Sequence, residues 1–219
     1  MYNLDIGIIM PLEELLNNGT KDLEELGIQL CQVNAWNMEN LTKDNAEKLK
    51  SIMKDKVKIV SLWVGWPGPK VWDFFEGPLT LGLVPKEYRY ARMEALKKGA
   101  NFAKEIGVTD IVTHVGFIPE NPLTTEYMET VTTIKDIASY TKKLDIYFNF
   151  ETGQETPITL LRTINDVGLD NLGINLDPAN LLMYGKANPV DAVDLYKNLI
   201  RSVHIKDGKY PTSGKDLGE

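Results

Sequence analysis

The chain has 219 residues, 43% of them hydrophobic, with 31 acidic and 24 basic side chains and a formal net charge of −7. That supplies one sizeable core, in keeping with a single domain over 1–219. An acidic surface without a basic patch argues against a nucleic-acid partner.

The N-terminal "MYNLDIGIIM" has neither a basic leader segment nor a long apolar run. No later stretch reaches the length of a membrane span, so a cytoplasmic protein with no membrane partner is expected. The single cysteine, Cys31 in "GIQLCQV", has no partner for an internal disulfide and reads as a core residue.

Along the chain, apolar β-rich runs alternate with stretches of helical spacing. The runs are "LDIGIIM" (4–10), "IQLCQV" (28–33), "VKIVSLWV" (57–64), "DIVTHV" (110–115), "DIYFNFE" (145–151), "LGINLD" (172–177) and "SVHIKD" (202–207). Between them, "PLEELLNNGTKDLEELG" sets Leu12, Leu15 and Leu16 on one helical face, with Leu23 and Leu26 on a later turn. "NLTKDNAEKLKSIMK", "PKEYRYARMEALKKGANFAKEIG", "TTEYMETVTTIKDIASYTKKL", "TPITLLRTINDVG" and "NPVDAVDLYKNLI" complete the set of helices. Gly27, Gly107 and Gly168 fall where a helix should stop, as C-terminal caps do.

Such alternation predicts parallel βαβ units. An open nucleotide-binding sheet would carry a glycine-rich turn after an early strand, and "GIIMPLEEL" has none. In a (β/α)8 barrel the chemistry sits at the C-terminal strand ends. Trp63, His114, Glu151, Asp177 and His204 all fall there, which favours the barrel. The connection 65–85, "GWPGPKVWDFFEGPLTLGLVP", is rich in Gly, Pro and aromatic residues and has no period. It reads as a functional lid or as a rigid cover over the barrel mouth, two compatible roles.

The only two histidines, His114 and His204, both lie at predicted strand ends. Glu151 closes strand five, Asp177 closes strand six, and His204 belongs to strand seven. Neighbouring strands would bring these three to one point. Two carboxylates and an imidazole suit a divalent ion such as Mn, Mg or Co, with Zn a further candidate. Asp177 also precedes Pro178, as a helix N-cap would. Glu155 has the alternative of a first-turn helix acid. Trp63, Trp66 and Trp72 could stack on a sugar face or serve as ordinary packing.

The segments "GWPGPKVWDFFEGPLTLGLVP", "THVGFIPE", "FETGQETPITLLR", "NLDPANLLMYGKANPVDA" and "VHIKDGKYPT" resemble the xylose isomerase-like barrel family of sugar isomerases, epimerases and relatives. The resemblance implies one divalent metal held by Glu151, Asp177 and His204, with Glu151 doubling as an acid/base group. It implies a rim position near substrate for His114. Trp63, Trp66, Glu155 and Lys206 are further candidates for substrate contact, Lys206 to a substrate oxygen or phosphate, with a solvated rim lysine as its alternative. The resemblance also implies isomerisation or epimerisation of a small-molecule sugar through an enediolate.

In the family a fourth ligand, a Glu, ends strand eight. This chain stops at "GKDLGE", so a barrel lacking its final helix and strand is expected, with low stability and little activity. Pairing of copies through open edges is a further expectation. The DNA-cutting relatives use a zinc cluster with many histidines, which two histidines do not match. A non-catalytic barrel that binds a ligand or partner, or a hydrolase on the same fold, stands as the alternative.

Overall fold

The computed structural model describes residues 5–219. Its seven strands are β1 (Ile8–Pro11), β2 (Leu30–Ala35), β3 (Lys58–Val64), β4 (Asp110–Thr113), β5 (Tyr147–Glu151), β6 (Leu172–Leu176) and β7 (Ile200–Val203). They form one sheet in chain order, and every neighbouring pair is parallel. The helices are α1 (Leu12–Asn18), α2 (Lys21–Glu25), α3 (Lys43–Met53), α4 (Gly77–Thr80), α5 (Lys86–Glu105), α6 (Thr125–Lys142), α7 (Pro157–Val167), α8 (Pro178–Met183) and α9 (Pro189–Tyr196). None of the described helices is long and apolar enough to cross a membrane.

The sheet curls into an incomplete TIM barrel, and two contacts across its interior show the curl. At the C-terminal ends, His204 just after β7 meets Gln32 of β2 through Nε2 and Oε1, 2.9 Å apart. At the opposite end, Arg201 of β7 reaches Asp110 of β4 with bonds of 2.5 and 3.1 Å, its guanidinium 3.5 Å from the Tyr147 ring centroid. Gly173 makes room for that arm, since a Cβ there would lie 2.4 Å from the Arg201 Cδ. β1 and β7 are the sheet's two edges, and Ile6, Ile9, Val203 and Ile205 are exposed along them.

The core lies between the sheet and its helices. Leu12 and Leu15 of α1, Leu49 of α3, Leu96 of α5, Ile134 and Ile137 of α6 and Leu160 of α7 are buried against strand residues such as Cys31, Leu62, Ile111, Phe148 and Ile174. Thr42, Thr124 and Thr156 cap α3, α6 and α7 through their hydroxyls. Gly27, Gly107 and Gly168 end α2, α5 and α7 at φ of +67°, +76° and +67°.

The structure departs from the sequence reading at several boundaries. The expected helix over 11–27 divides at Gly19, whose φ of +73° turns the chain between α1 and α2. Strand one begins only at Ile8; Leu4 of the expected run lies outside the described residues. Strand seven sits earlier than 202–207, because Ile200, Ser202 and Val203 pair with Ile174, Asn175 and Leu176.

Segment 65–85 lies at the barrel's C-terminal end. It contains α4, whose entry is wrapped around Asp73: Oδ1 accepts from the N–H groups of Phe75, Glu76 and Gly77. Arg92 of α5, fully buried, pins the segment by donating to the carbonyls of Pro67, Pro69 and Gly82. Burial lowers the Arg92 pKa to about 10, which leaves it charged at neutral pH. Trp66 and Trp72 of the segment pack together with ring centroids 6.3 Å apart.

Candidate metal centre

Three successive strands deliver the centre. Glu151 is the last residue of β5, Asp177 follows β6, and His204 follows β7. Glu151 pairs in register with Asn175, and the His204 N–H donates to the Leu176 carbonyl at 2.9 Å, so the ladders fix their relative heights. Thr152 locks Asp177 from both sides: its Oγ1 accepts from the Asp177 N–H at 2.8 Å and donates to the Asp177 carbonyl at 3.0 Å. Asp177 also caps α8, its Oδ1 accepting from the Asn180 N–H at 2.8 Å. The cap uses one oxygen, as the N-cap reading expects, and leaves Oδ2 facing the centre.

One ligand atom from each of Glu151, Asp177 and His204 lies within 4.8 Å of the others. His204 Nδ1 stands 3.2 Å from Glu151 Oε1 and 3.6 Å from Asp177 Oδ2. Gln32 holds the far ring nitrogen of His204, and is itself held by the Ser61 hydroxyl it donates to at 2.8 Å. With Nε2–H donating to Gln32, Nδ1 is the nitrogen turned to the carboxylates; without an ion it holds a proton between them, and on losing that proton it offers the lone pair a metal ligand needs. Two buried carboxylates this close repel one another unless a cation joins them. The donor set therefore fits a small divalent ion with oxygen and nitrogen preferences.

The electrostatics agree. Burial works against the charge of Glu151, but His114, His204 and the Trp63 N–H outweigh it, and the pKa falls to about 2. Burial also disfavours protonated His204, yet its bonds to Asp177 and Glu151 raise its pKa to about 9. Burial lowers the pKa of His114 despite the nearby carboxylates. The Trp63 N–H donates to Glu151 Oε2, so the remaining oxygen, Oε1, is the one that faces His204. His114 Nε2 lies 3.5 Å from the same oxygen.

A cavity of about 390 Å³ opens above this group. Glu151, Asp177, His204, His114, Trp63 and Lys206 line it, as do Gln32, Asn34, Trp36, Trp72, Gln154, Asn180, Met183 and Tyr184. Lys206 donates to Asn180 Oδ1 at 2.7 Å and lies 3.6 Å from Asp177 Oδ2.

Trp66 and Glu155, expected as substrate contacts, do not line the cavity; the structure places them behind its wall. Trp66 is buried against Trp36, Trp63 and Trp72. Glu155 is buried directly before Thr156, the N-cap of α7.

Sequence reasoning passed over Gln32, Trp36, Gln154, Asn180 and Tyr184. The available signal was polarity out of phase: Gln32 is a buried amide inside an apolar strand, and Asn180 sits three residues after a capping Asp.

Glu155 gives a testable pH dependence. Burial raises its pKa to about 8, only partly offset by Lys186 and the backbone amides of residues 153–155. The folded state thus binds a proton more tightly than the unfolded chain, whose carboxyl titrates near 4.5. This contribution to stability is complete below the unfolded value and is lost as pH rises to the folded one. Stability should decline across that interval by on the order of a few kcal/mol. Glu155→Gln should flatten the decline in denaturant melts taken from pH 5 to 8.5. An unchanged slope would mean that Glu155 is ionised in the fold.

The same architecture is found in proteins of known structure. A xylose isomerase domain protein from Planctomyces limnophilus is 30% identical and superposes with a TM-score of 0.90, over 98% of this chain and 79% of that one. D-psicose 3-epimerase, solved in the presence of D-fructose, is 14% identical with a TM-score of 0.68, over 92% and 72%. A protein from Thermus thermophilus, soaked with zinc chloride, is 20% identical with a TM-score of 0.69, over 93% and 78%. No curated protein sequence matches the chain. The model of the xylose isomerase-like TIM barrel matches residues 21–218, which include every strand except β1 and all of the metal-centre residues. With that match and the relative from Planctomyces, the chain belongs to the xylose isomerase-like TIM barrel family.

Proposed function

We propose that the protein is a metal-dependent isomerase or epimerase of a sugar or sugar-like substrate. One observation carries the reading: Glu151, Asp177 and His204 converge within 4.8 Å beneath a sugar-sized cavity. D-psicose 3-epimerase, at 14% identity, shares the fold alone, so the donor set bears the argument. An acidic chain with one buried cysteine suits a cytoplasmic enzyme with a small-molecule partner and neither nucleic acid nor membrane. Association of copies through the exposed edges β1 and β7 is part of the same proposal.

A divalent ion at the centre, Mn, Mg, Co or Zn, would supply Lewis acidity to a substrate carbonyl and its neighbouring hydroxyl. The chain's own groups do the rest. Glu151 stays ionised at neutral pH, takes the proton from the hydroxyl-bearing carbon beside the carbonyl and returns it to the former carbonyl carbon, while the hydroxyl proton passes to the former carbonyl oxygen. Trp63 orients that carboxylate through Oε2. Asn180 and Lys206 form a joined pair that can hold a substrate oxygen. His114, packed against Trp63 and Trp72 with centroids 5.9 and 5.2 Å away, presents its ring to the cavity. The tryptophan faces exclude water and stack on the apolar side of a sugar ring.

The test is a panel of aldoses and ketoses incubated with Mn-loaded protein and resolved by chromatography. One interconverting pair is expected, with the rate reduced about a thousandfold in Glu151→Gln. Failure to convert any sugar, by protein that retains the metal, would remove the reading.

A further inference from the structure

An ion pair lies at the end of the barrel remote from the cavity, and the mechanism makes no use of it. Arg201 of β7 donates to both carboxylate oxygens of Asp110 of β4 and lies over the Tyr147 ring. Asp110 is held in turn: Asn149 of β5 donates to its Oδ1 at 3.0 Å and the Thr109 hydroxyl to its Oδ2 at 2.8 Å. Burial works against the Asp110 charge, but the bonds from Arg201, Thr109 and Asn149 outweigh it and keep the carboxyl below its ordinary range. The three strands tied together here carry both histidines and Glu151 at their other ends. Asp110 lies four residues before His114, Asn149 two before Glu151, and Arg201 three before His204.

The pairing of β7 gives Arg201 a particular place. Ile200 pairs with Ile174, and both pack in the core against the helices. Side chains alternate along a strand, so an unbroken β7 would turn Ser202 and His204 to the same side as Ile200, away from the barrel interior. Instead Ser202, not Arg201, is the partner of Asn175. Arg201 is the extra residue, a bulge that shifts the alternation by one. Ser202 then faces inward with its hydroxyl on Asn175, and His204 reaches Glu151, Asp177 and Gln32. Among the described residues β7 has the β6 ladder on one side only, so strand pairing alone holds the bulge weakly. The Arg201 side chain anchors it from across the barrel.

We propose that Arg201 is a positioning residue for the metal centre: clasped to Asp110, it fixes the β7 bulge and thereby turns His204 toward Glu151 and Asp177. The inference rests on the reading of those three residues as metal ligands and is independent of which substrate the centre serves.

The test compares wild type with Arg201→Met, Arg201→Lys, Asp110→Asn and Arg89→Met. Each is freed of metal and titrated with Mn²⁺ by calorimetry well below its melting temperature. The visible absorption of the Co²⁺-loaded proteins reports which donors reach the ion. Arg201→Met should bind Mn²⁺ about tenfold more weakly, the low end for losing a group that orients a ligand. Its Co²⁺ spectrum should move toward that of His204→Ala. Arg201→Lys returns a cation to Asp110 and should recover most of the affinity. Asp110→Asn should weaken binding in the same direction, and it carries the test if Arg201→Met does not fold. The double variant should bind no more weakly than Arg201→Met alone, because both substitutions break one pair. Arg89→Met breaks a pair with Glu129 between the outer helices α5 and α6. It should lower the melting temperature and leave Mn²⁺ affinity unchanged.

Wild-type affinity and an unchanged Co²⁺ spectrum in Arg201→Met would overturn the proposal and leave the pair a brace of the barrel floor. So would an equal loss of affinity in Arg89→Met, since general loosening would then explain it. No Mn²⁺ or Co²⁺ bound by wild type would remove the metal centre and the clasp together. Metal binding that depends on Arg201, in protein that converts no sugar, would keep the clasp and remove the isomerase reading.

Discussion

Asp177→Asn should abolish measurable Mn²⁺ binding while leaving the fold intact. Removing partners that merely orient a ligand weakens metal sites by 10–100-fold, so loss of a direct ligand should exceed about a hundredfold. The asparagine keeps an oxygen to accept from the Asn180 N–H, so the α8 cap survives. It relieves the repulsion between two buried carboxylates and gives up the attraction to protonated His204, two opposing effects, so the metal-free variant should melt within a few degrees of wild type. Asp177→Ala should lose both the metal and the cap, at about 1 kcal/mol for the latter. Calorimetric titration and melting curves with and without Mn²⁺ separate these effects. At a hundred times its Kd the ion should stabilise wild type by about 2.7 kcal/mol and the variants hardly at all. A Mn²⁺-induced shift retained in Asp177→Asn would take Asp177 out of the centre.

Gly82→Ala should be among the most damaging substitutions remote from the cavity. Gly82 has φ +67°, and a Cβ there would meet the Val115 carbonyl carbon and oxygen at 2.0 Å. Gly116 crosses it from the other side at φ +97°, with its own virtual Cβ 2.3 Å from the Leu81 carbonyl oxygen. The two backbones touch where the Leu83 N–H donates to Val115 at 2.7 Å and Arg92 takes the Gly82 carbonyl at 2.7 Å. These contacts are backbone and cannot yield as a flexible side chain would. Left-handed strain adds about 1–2 kcal/mol to the clash, for a total on the order of 4 kcal/mol and a melting temperature lower by about 10 °C. Gly27→Ala is the control, because it has φ +67° with nothing within 4 Å of its Cβ. It should cost only the strain. Equal losses at the two sites would mean that conformation, rather than the crossing, decides the effect. Loosening of the cover should also expose Trp66, buried in the fold, to quenchers.

Strand order and the convergence of Glu151, Asp177 and His204 were legible in the sequence for one reason. A parallel barrel places consecutive strands side by side, so a polar residue ending each apolar run marks a common rim. Glu151, Asp177 and His204 obey that rule. The helix at Pro178–Met183 did not show because six residues give too few turns for a period. Gln32 did not show because one amide leaves the apolar pattern of its strand intact, and its partner is 172 residues away. Glu155 drew notice by its charge, and Gln154 beside it did not. Only the turn's path decides that Gln154 lines the cavity and Glu155 lies behind it. The division of residues 11–27 into two helices depends on the positive φ of Gly19, and glycine within a helical pattern fixes no dihedral.

The central claim is that Glu151 moves a carbon-bound proton of a substrate held over the metal centre. Turnover of the converted sugar by Mn-loaded protein in D2O, followed by proton NMR, tests it most directly. The account predicts deuterium at the carbon beside the carbonyl in recovered substrate and product, lost in Glu151→Gln. Conversion at full rate by Glu151→Gln would contradict it, since hydrogen would then move between the carbons without that carboxylate.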